Sequence, residues 1–144
     1  MKTLFNLKEN PFVLLLLTTI VLLLALAFLK IANVELKDKV MFGIPLNNMV
    51  RIFPMILLSF WLLYLKTKKF LYSVTITWIH VLLTVLTTIL IVAVLYIGIT
   101  PSPYENSKNE LIGNAMQILT FIFLLGQLFY IVNFGLGILR RRKA

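Results

Sequence analysis

Hydrophobic positions along this chain gather into long blocks set apart by short polar connectors. Phe12–Leu29 is a run of 18 uncharged residues, and Phe70–Thr100 and Leu111–Leu139 are runs of 31 and 29 without a formal charge. A fourth block lies between Asn47 and Leu65, broken only by Arg51. A helix needs roughly 20 apolar residues to cross a hydrocarbon layer of ~30 Å, and each block is of that order or longer. The pattern predicts an all-α membrane protein, one domain over residues 1–144, built as a bundle of four transmembrane helices at about 11–32, 47–65, 70–99 and 111–139. The two longest blocks exceed the span, so those helices tilt or protrude into the interface.

Local signals sharpen the ends. Asn10 is a good N-cap with Pro11 at the first helical position, where the missing N–H costs nothing. The connector 33–46 is polar at Glu35, Lys37, Asp38 and Lys39, and turn-like at Gly43 and Pro45. Pro54 bends the second helix or marks its start. Pro101, Pro103 and Asn106 end the third. The first block, 18 uncharged residues, is longer than the apolar region of a usual signal peptide, so it reads as a retained helix rather than a removed leader.

Composition agrees with the pattern: 60% of residues are hydrophobic, 13% are charged, and the mean hydropathy is +0.98. A soluble domain carries nearer a quarter charged residues. The formal net charge of +9 does not call for nucleic acid, because cytoplasmic flanks of membrane helices collect Lys and Arg. Four crossings put both termini and the Lys66–Lys69 connector on one side, with nine basic residues and Glu9. The other side has five basic residues and four acids, which places both termini in the cytoplasm. Trp61, Tyr64, Tyr72 and Tyr104 fall where interfacial rings anchor.

Candidate chemistry is sparse. None of the five acids lies within a predicted span, against a proton-coupled transporter that needs an embedded carboxylate. Cysteine is absent, excluding disulfides, thiolate catalysis and Cys-ligated metals. One histidine is too few for a di-haem cytochrome. What remains is a polar stripe on the third helix, Ser73, Thr77, His80, Thr84 and Thr88 with Thr87 beside it, spaced to share one face. The fourth helix offers Asn114 and Gln117, then Gln127, Tyr130 and Asn133. These stripes either hydrogen-bond across the bundle, or line a polar face for a ligand, His80 serving in the extreme case as sole haem ligand. Gly113, Gly126, Gly135 and Gly137 read as helix-packing positions, the last two alternatively loosening the helix end. Arg51 is expected to snorkel or to pair with Asp38 or Glu35.

Three segments carry a resemblance. Trp78-Ile79-His80-Val81-Leu82-Leu83-Thr84 resembles the H-F-W-L-T start of the eleventh helix of haem-copper (cytochrome c) oxidase subunit I. Leu124-Leu125-Gly126-Gln127-Leu128-Phe129-Tyr130-Ile131-Val132-Asn133-Phe134, with the basic stop after it, resembles the close of the twelfth. Val34-Glu35-Leu36-Lys37-Asp38 falls where that family has a His-Asp segment leading to its haem ligands. The chain is similar to short bacterial four-helix proteins that resemble the last four helices of that subunit. Aligned on Asp38, the two haem-ligating histidines are replaced by Pro45 and Asn47, neither able to hold a haem. The resemblance implies a multi-pass protein of the bacterial inner (plasma) membrane, with both ends cytoplasmic and without a cofactor. It further implies a structural, accessory or assembly role, with the lipid bilayer and membrane subunits of a respiratory complex as partners. The alternative is a small-molecule or lipid binder using the polar face around His80 between the third and fourth helices.

Overall fold

The computed structural model describes residues 6–31, 40–41, 44–99 and 105–142. The described residues are all-α apart from one pair of two-residue strands. Helix α1 is Val13–Ile31, α2 Leu46–Thr67, α3 Val74–Ile99 and α4 Glu105–Arg142, and a 3-10 turn at Lys68–Phe70 follows α2 directly. Before α2, strands β1 (Val40–Met41) and β2 (Ile44–Pro45) pair antiparallel, Val40 opposite Pro45. Lys37 and Asp38 lie outside the described residues, Pro45 falls in β2, and Asn47 in α2. Two helices, α3 and α4, contain stretches long and apolar enough to cross a bilayer, Val74–Ile97 and Lys108–Arg141; α1 has a shorter apolar stretch, Val13–Phe28.

Several helix ends differ from the sequence expectation for local reasons. Val13, Leu14 and Leu15 donate to the carbonyls three residues back, on Asn10, Pro11 and Phe12. The entry is therefore a 3-10 turn, and regular α-helix begins at Val13 rather than at Pro11. Pro54 lies well inside α2, so it does not mark the start of that helix. Helix α3 starts at Val74, later than 70, because the chain first makes the 3-10 turn and runs through Leu71–Ser73. Helix α4 is longer than expected at both ends, spanning 38 residues and taking in polar residues from Glu105 onward.

The helices form two antiparallel hairpins. Helices α3 and α4 make the most extensive contact and α1 and α2 the next, while α3 joins the hairpins. At one end, Phe12, Val13, Leu15, Leu57, Tyr64, Val81 and Tyr130 form a buried cluster. There the Phe12 and Tyr64 rings stack at 5.6 Å, pinning the start of α1 to the end of α2. Toward the other end, Ile91 and Leu95 of α3 pack with Ile112 and Met116 of α4, and Leu26 and Phe53 cover them.

Of the α4 glycines, Gly137 is the one that packing demands. A Cβ there would stand 1.7 Å from the Phe70 carbonyl oxygen, so only hydrogen lets α4 approach the 3-10 turn. Beside it, Arg141 donates to the Lys69 carbonyl, and its guanidinium lies 4.9 Å from the Phe70 ring. Gly126 is in ordinary van der Waals contact with Leu83, whereas Gly113 and Gly135 face open space. Gly137→Ala should therefore cost roughly 1–3 kcal/mol through forced separation. Gly135→Ala should be neutral or gain up to ~1 kcal/mol of helix propensity. Thermal melts of the two variants in one detergent check this contrast, and equal melting temperatures would count against the close approach.

Candidate functional site

The buried polar residues concentrate where α2, α3 and α4 meet. Thr77, His80, Thr84 and Thr88 lie along one buried face of α3, as their 3- and 4-residue spacing requires. Opposite them stand Gly126, Tyr130, Asn133 and Gly137, spaced 4, 3 and 4 on the buried face of α4. His80 is fully buried, and both of its ring nitrogens are engaged. Nδ1 lies 2.7 Å from the Tyr64 hydroxyl of α2, and Nε2 lies 2.9 Å from Gln127 Oε1 of α4. An amide oxygen only accepts, so in a neutral imidazole the proton sits on Nε2, and Nδ1 accepts from the Tyr64 O–H. Thr84 Oγ1 is 3.3 Å from the same Nε2 and also accepts from the Gln127 amide N–H at 3.3 Å. The other amide proton of Gln127 reaches the Phe123 carbonyl at 3.1 Å. No member of this group is left with an unmet polar atom.

A second knot lies one to two turns toward the 3-10 turn. Asn133 Oδ1 accepts from the Ser73 main-chain N–H at 2.8 Å, and its Nδ2 donates to the Ser73 carbonyl and to Thr77 Oγ1. The Asn133 carbonyl accepts from the Tyr72 N–H at 3.2 Å. One amide side chain thus takes up the Ser73 main-chain N–H just before α3, part of the usual task of a cap, from a neighbouring helix. Tyr130 O–H donates to Thr67 Oγ1 at 3.0 Å, since that hydroxyl already donates to the Leu63 carbonyl. Around both knots the rings of Phe60, Tyr64, His80, Tyr130 and Phe134 touch edge-on, tilted or stacked.

The structure sorts the sequence candidates. Thr77, His80 and Thr84 meet α4 through their side chains, and Ser73 does so through its main chain. Thr88 and Thr87 are buried, but their hydroxyls bond to carbonyls of α3 itself. Asn114 and Gln117 are exposed on α4, more than two turns beyond Gln127, and do not join the network. Tyr64 corrects the expectation of an interfacial anchor: its ring is fully buried, and its hydroxyl serves His80. Trp61 is half-buried, with its indole N–H lacking a hydrogen-bond partner among the described residues. Tyr104, Glu35 and Asp38 lie outside the described residues, and Arg51 is exposed. In the sequence, the 126-130-133-137 spacing is the signal that marks the α4 face that α3 buries.

No family model, curated protein or solved structure matches the chain. Chemistry must therefore be read from the geometry alone. Among the described residues, no three His, Cys, Asp or Glu side chains converge. A ligand on either nitrogen of His80 would have to displace Tyr64 or Gln127. A pocket of about 130 Å³ next to the network, lined by Glu9, Phe12, Lys68, Tyr72, Ser73 and Thr77, is below the ~300 Å³ at which organic-ligand sites begin.

Removing interhelical bonds should rank the residues. Asn133→Leu, which breaks three side-chain bonds, should cost about 2 kcal/mol and Gln127→Leu about 1–2 kcal/mol. Thr88→Ala and Asn114→Ala should each change stability by less than ~0.5 kcal/mol. Reversible unfolding in mixed micelles measures the order, and a Thr88 or Asn114 effect as large as that of Asn133 would contradict it.

Proposed function

We propose that the chain is a multi-pass protein of a bacterial inner membrane, crossing it four times with both termini in the cytoplasm, and that its role is structural or accessory rather than catalytic. The observation that carries this reading is the inverted distribution of polarity. Asn133, His80 and a row of threonines are buried, while Val21, Phe28, Met55, Leu111 and Phe121 are among many large apolar side chains left outside. In the most apolar stretches of α3 and α4 only 39% and 17% of residues are buried, so these are not core helices wrapped by their own protein. Water penalises such a surface, whereas hydrocarbon accepts it and makes interior hydrogen bonds the glue. Helices α1 and α2, with 19 and 22 residues, are ~29 and ~33 Å long, close to the ~30 Å of a bilayer core.

Polarity at the ends supports the orientation. Lys8, Lys66, Lys68 and Lys69 lie with Arg140 and Arg141 at the end where α2 meets the 3-10 turn, as cytoplasmic flanks do. A non-catalytic role is supported by the network itself, since every ring nitrogen, amide and hydroxyl around His80 is committed to another helix or to its own. A respiratory complex is the partner suggested by the likeness of the His80 and Asn133 segments to oxidase subunit I. The second reading, a binder at the His80 face, draws support only from the small pocket beside Thr77.

The cysteine-free sequence makes topology directly measurable. Single cysteines at Lys8, Lys68 and Arg141 should react with an impermeant maleimide only after the membrane is opened, and one at Lys37 should react in intact cells. Labelling of Lys68→Cys and Lys37→Cys from the same side would refute four crossings. For the role, mild-detergent purification should yield a colourless chain together with stoichiometric membrane partners. A Soret band would overturn the non-catalytic reading, and an isolated monomer would overturn the accessory one.

A further inference from the structure

Helix α2 is held at its two ends differently. Near Tyr64 and Thr67 it bonds to α3 and α4, whereas toward its start it leans chiefly on α1. One face of α2 is consequently left open between residues 48 and 63, as a groove of about 770 Å³. Arg51, Ile52, Met55, Ile56, Ser59 and Leu63 line it, recurring every three to four residues along the helix. Beyond Asn48 and Arg51 the wall is apolar, because the one hydroxyl, Ser59, turns back to the Met55 carbonyl at 2.8 Å. Charge enters only near the mouth, at Arg51, which is exposed and makes no ion pair among the described residues.

From these features we infer that the groove seats one acyl chain of an anionic glycerophospholipid, whose phosphate is held by Arg51. The inference rests on the membrane reading above. Arg51 lies toward the end of the bundle away from Lys68 and Arg141, about a turn and a half inside the start of α2, from where its long side chain snorkels to the headgroups on the opposite face of the bilayer. From Arg51 to Leu63 the groove runs ~18 Å, more than the ~15 Å depth of one leaflet, so a chain descending from a headgroup near Arg51 stays against this wall through the whole depth of its leaflet. A guanidinium offers a phosphate two parallel N–H donors. Charge complementarity at the mouth thus selects an anionic lipid over a zwitterionic one, and the apolar wall selects a lipid over a free anion.

The test is native mass spectrometry of the full chain in detergent, titrated with phosphatidylglycerol, phosphatidylcholine or inorganic phosphate. The wild type should retain one phosphatidylglycerol in preference to phosphatidylcholine. Arg51→Gln should weaken the former roughly five- to tenfold while leaving the latter unchanged, the effect of one cation near a headgroup. Met55→Trp, which fills the groove, should reduce retention of both lipids, and melting curves confirm that both variants fold. The inference is overturned if Arg51→Gln binds phosphatidylglycerol as the wild type does, if inorganic phosphate competes at equal concentration, or if the loss follows Lys69→Gln and Arg141→Gln instead. A chain absent from the membrane fraction would sink the membrane reading itself. Four crossings without an Arg51 effect would sink this inference alone.

Discussion

Burying one imidazole among apolar helices imposes a condition that most of this architecture satisfies. A buried polar group left without a partner costs on the order of 1–3 kcal/mol, and His80 has two ring nitrogens to satisfy with no water at hand. Its partners come from three helices: Tyr64 from α2, Thr84 from α3 itself and Gln127 from α4. Sliding α4 by one residue would shift Gln127 by ~1.5 Å and rotate it by ~100° about the helix axis, breaking the contact. The histidine therefore sets the register of the bundle. Neighbouring contacts repeat that register: Asn133 on the start of α3, Tyr130 on Thr67, and Gly137 against the Phe70 carbonyl.

The polar knots lie toward one end, and their placement shapes both halves of the molecule. Around Tyr64, His80 and Tyr130, aromatic packing and hydrogen bonds draw α2, α3 and α4 together. Toward the other end only apolar contacts remain, among Ile91, Leu95, Ile112 and Met116 with Phe53 and Leu26 over them. In hydrocarbon such contacts compete with lipid of equal apolarity and bind weakly. On the membrane reading, the tight end is the one held by hydrogen bonds, and the open face of α2 lies along the part they do not reach. The same bonds tie up His80, the one side chain that invites a cofactor assignment.

How much of this could be read without coordinates follows from what each signal encodes. Four apolar blocks were enough to place four helices, because block length and breaker residues act locally. Helical periodicity likewise identified the buried α3 face from Thr77 to Thr88, since spacing determines which side chains share a side. Local signals were weaker at the ends. Neither the 3-10 entry before Val13 nor the polar extension of α4 back to Glu105 has a strong composition cue, and both depend on what the backbone packs against.

Periodicity carries no information on how far one helix slides along another. Asn114 and Gln117 therefore looked as suitable for the His80 stripe as Gln127 and Asn133 did, and only the antiparallel register of α3 against α4 chose the latter pair. Tyr64 shows the same limit in rotation. A tyrosine near a helix end is amphipathic wherever it points, and its inward turn depended on a buried nitrogen, sixteen residues later, that needed a donor. The sequence by itself determined the helices and the polar face of α3. Tertiary structure decided which residues that face meets, because a hydrogen bond between helices depends on distance and angle that no one-dimensional spacing contains.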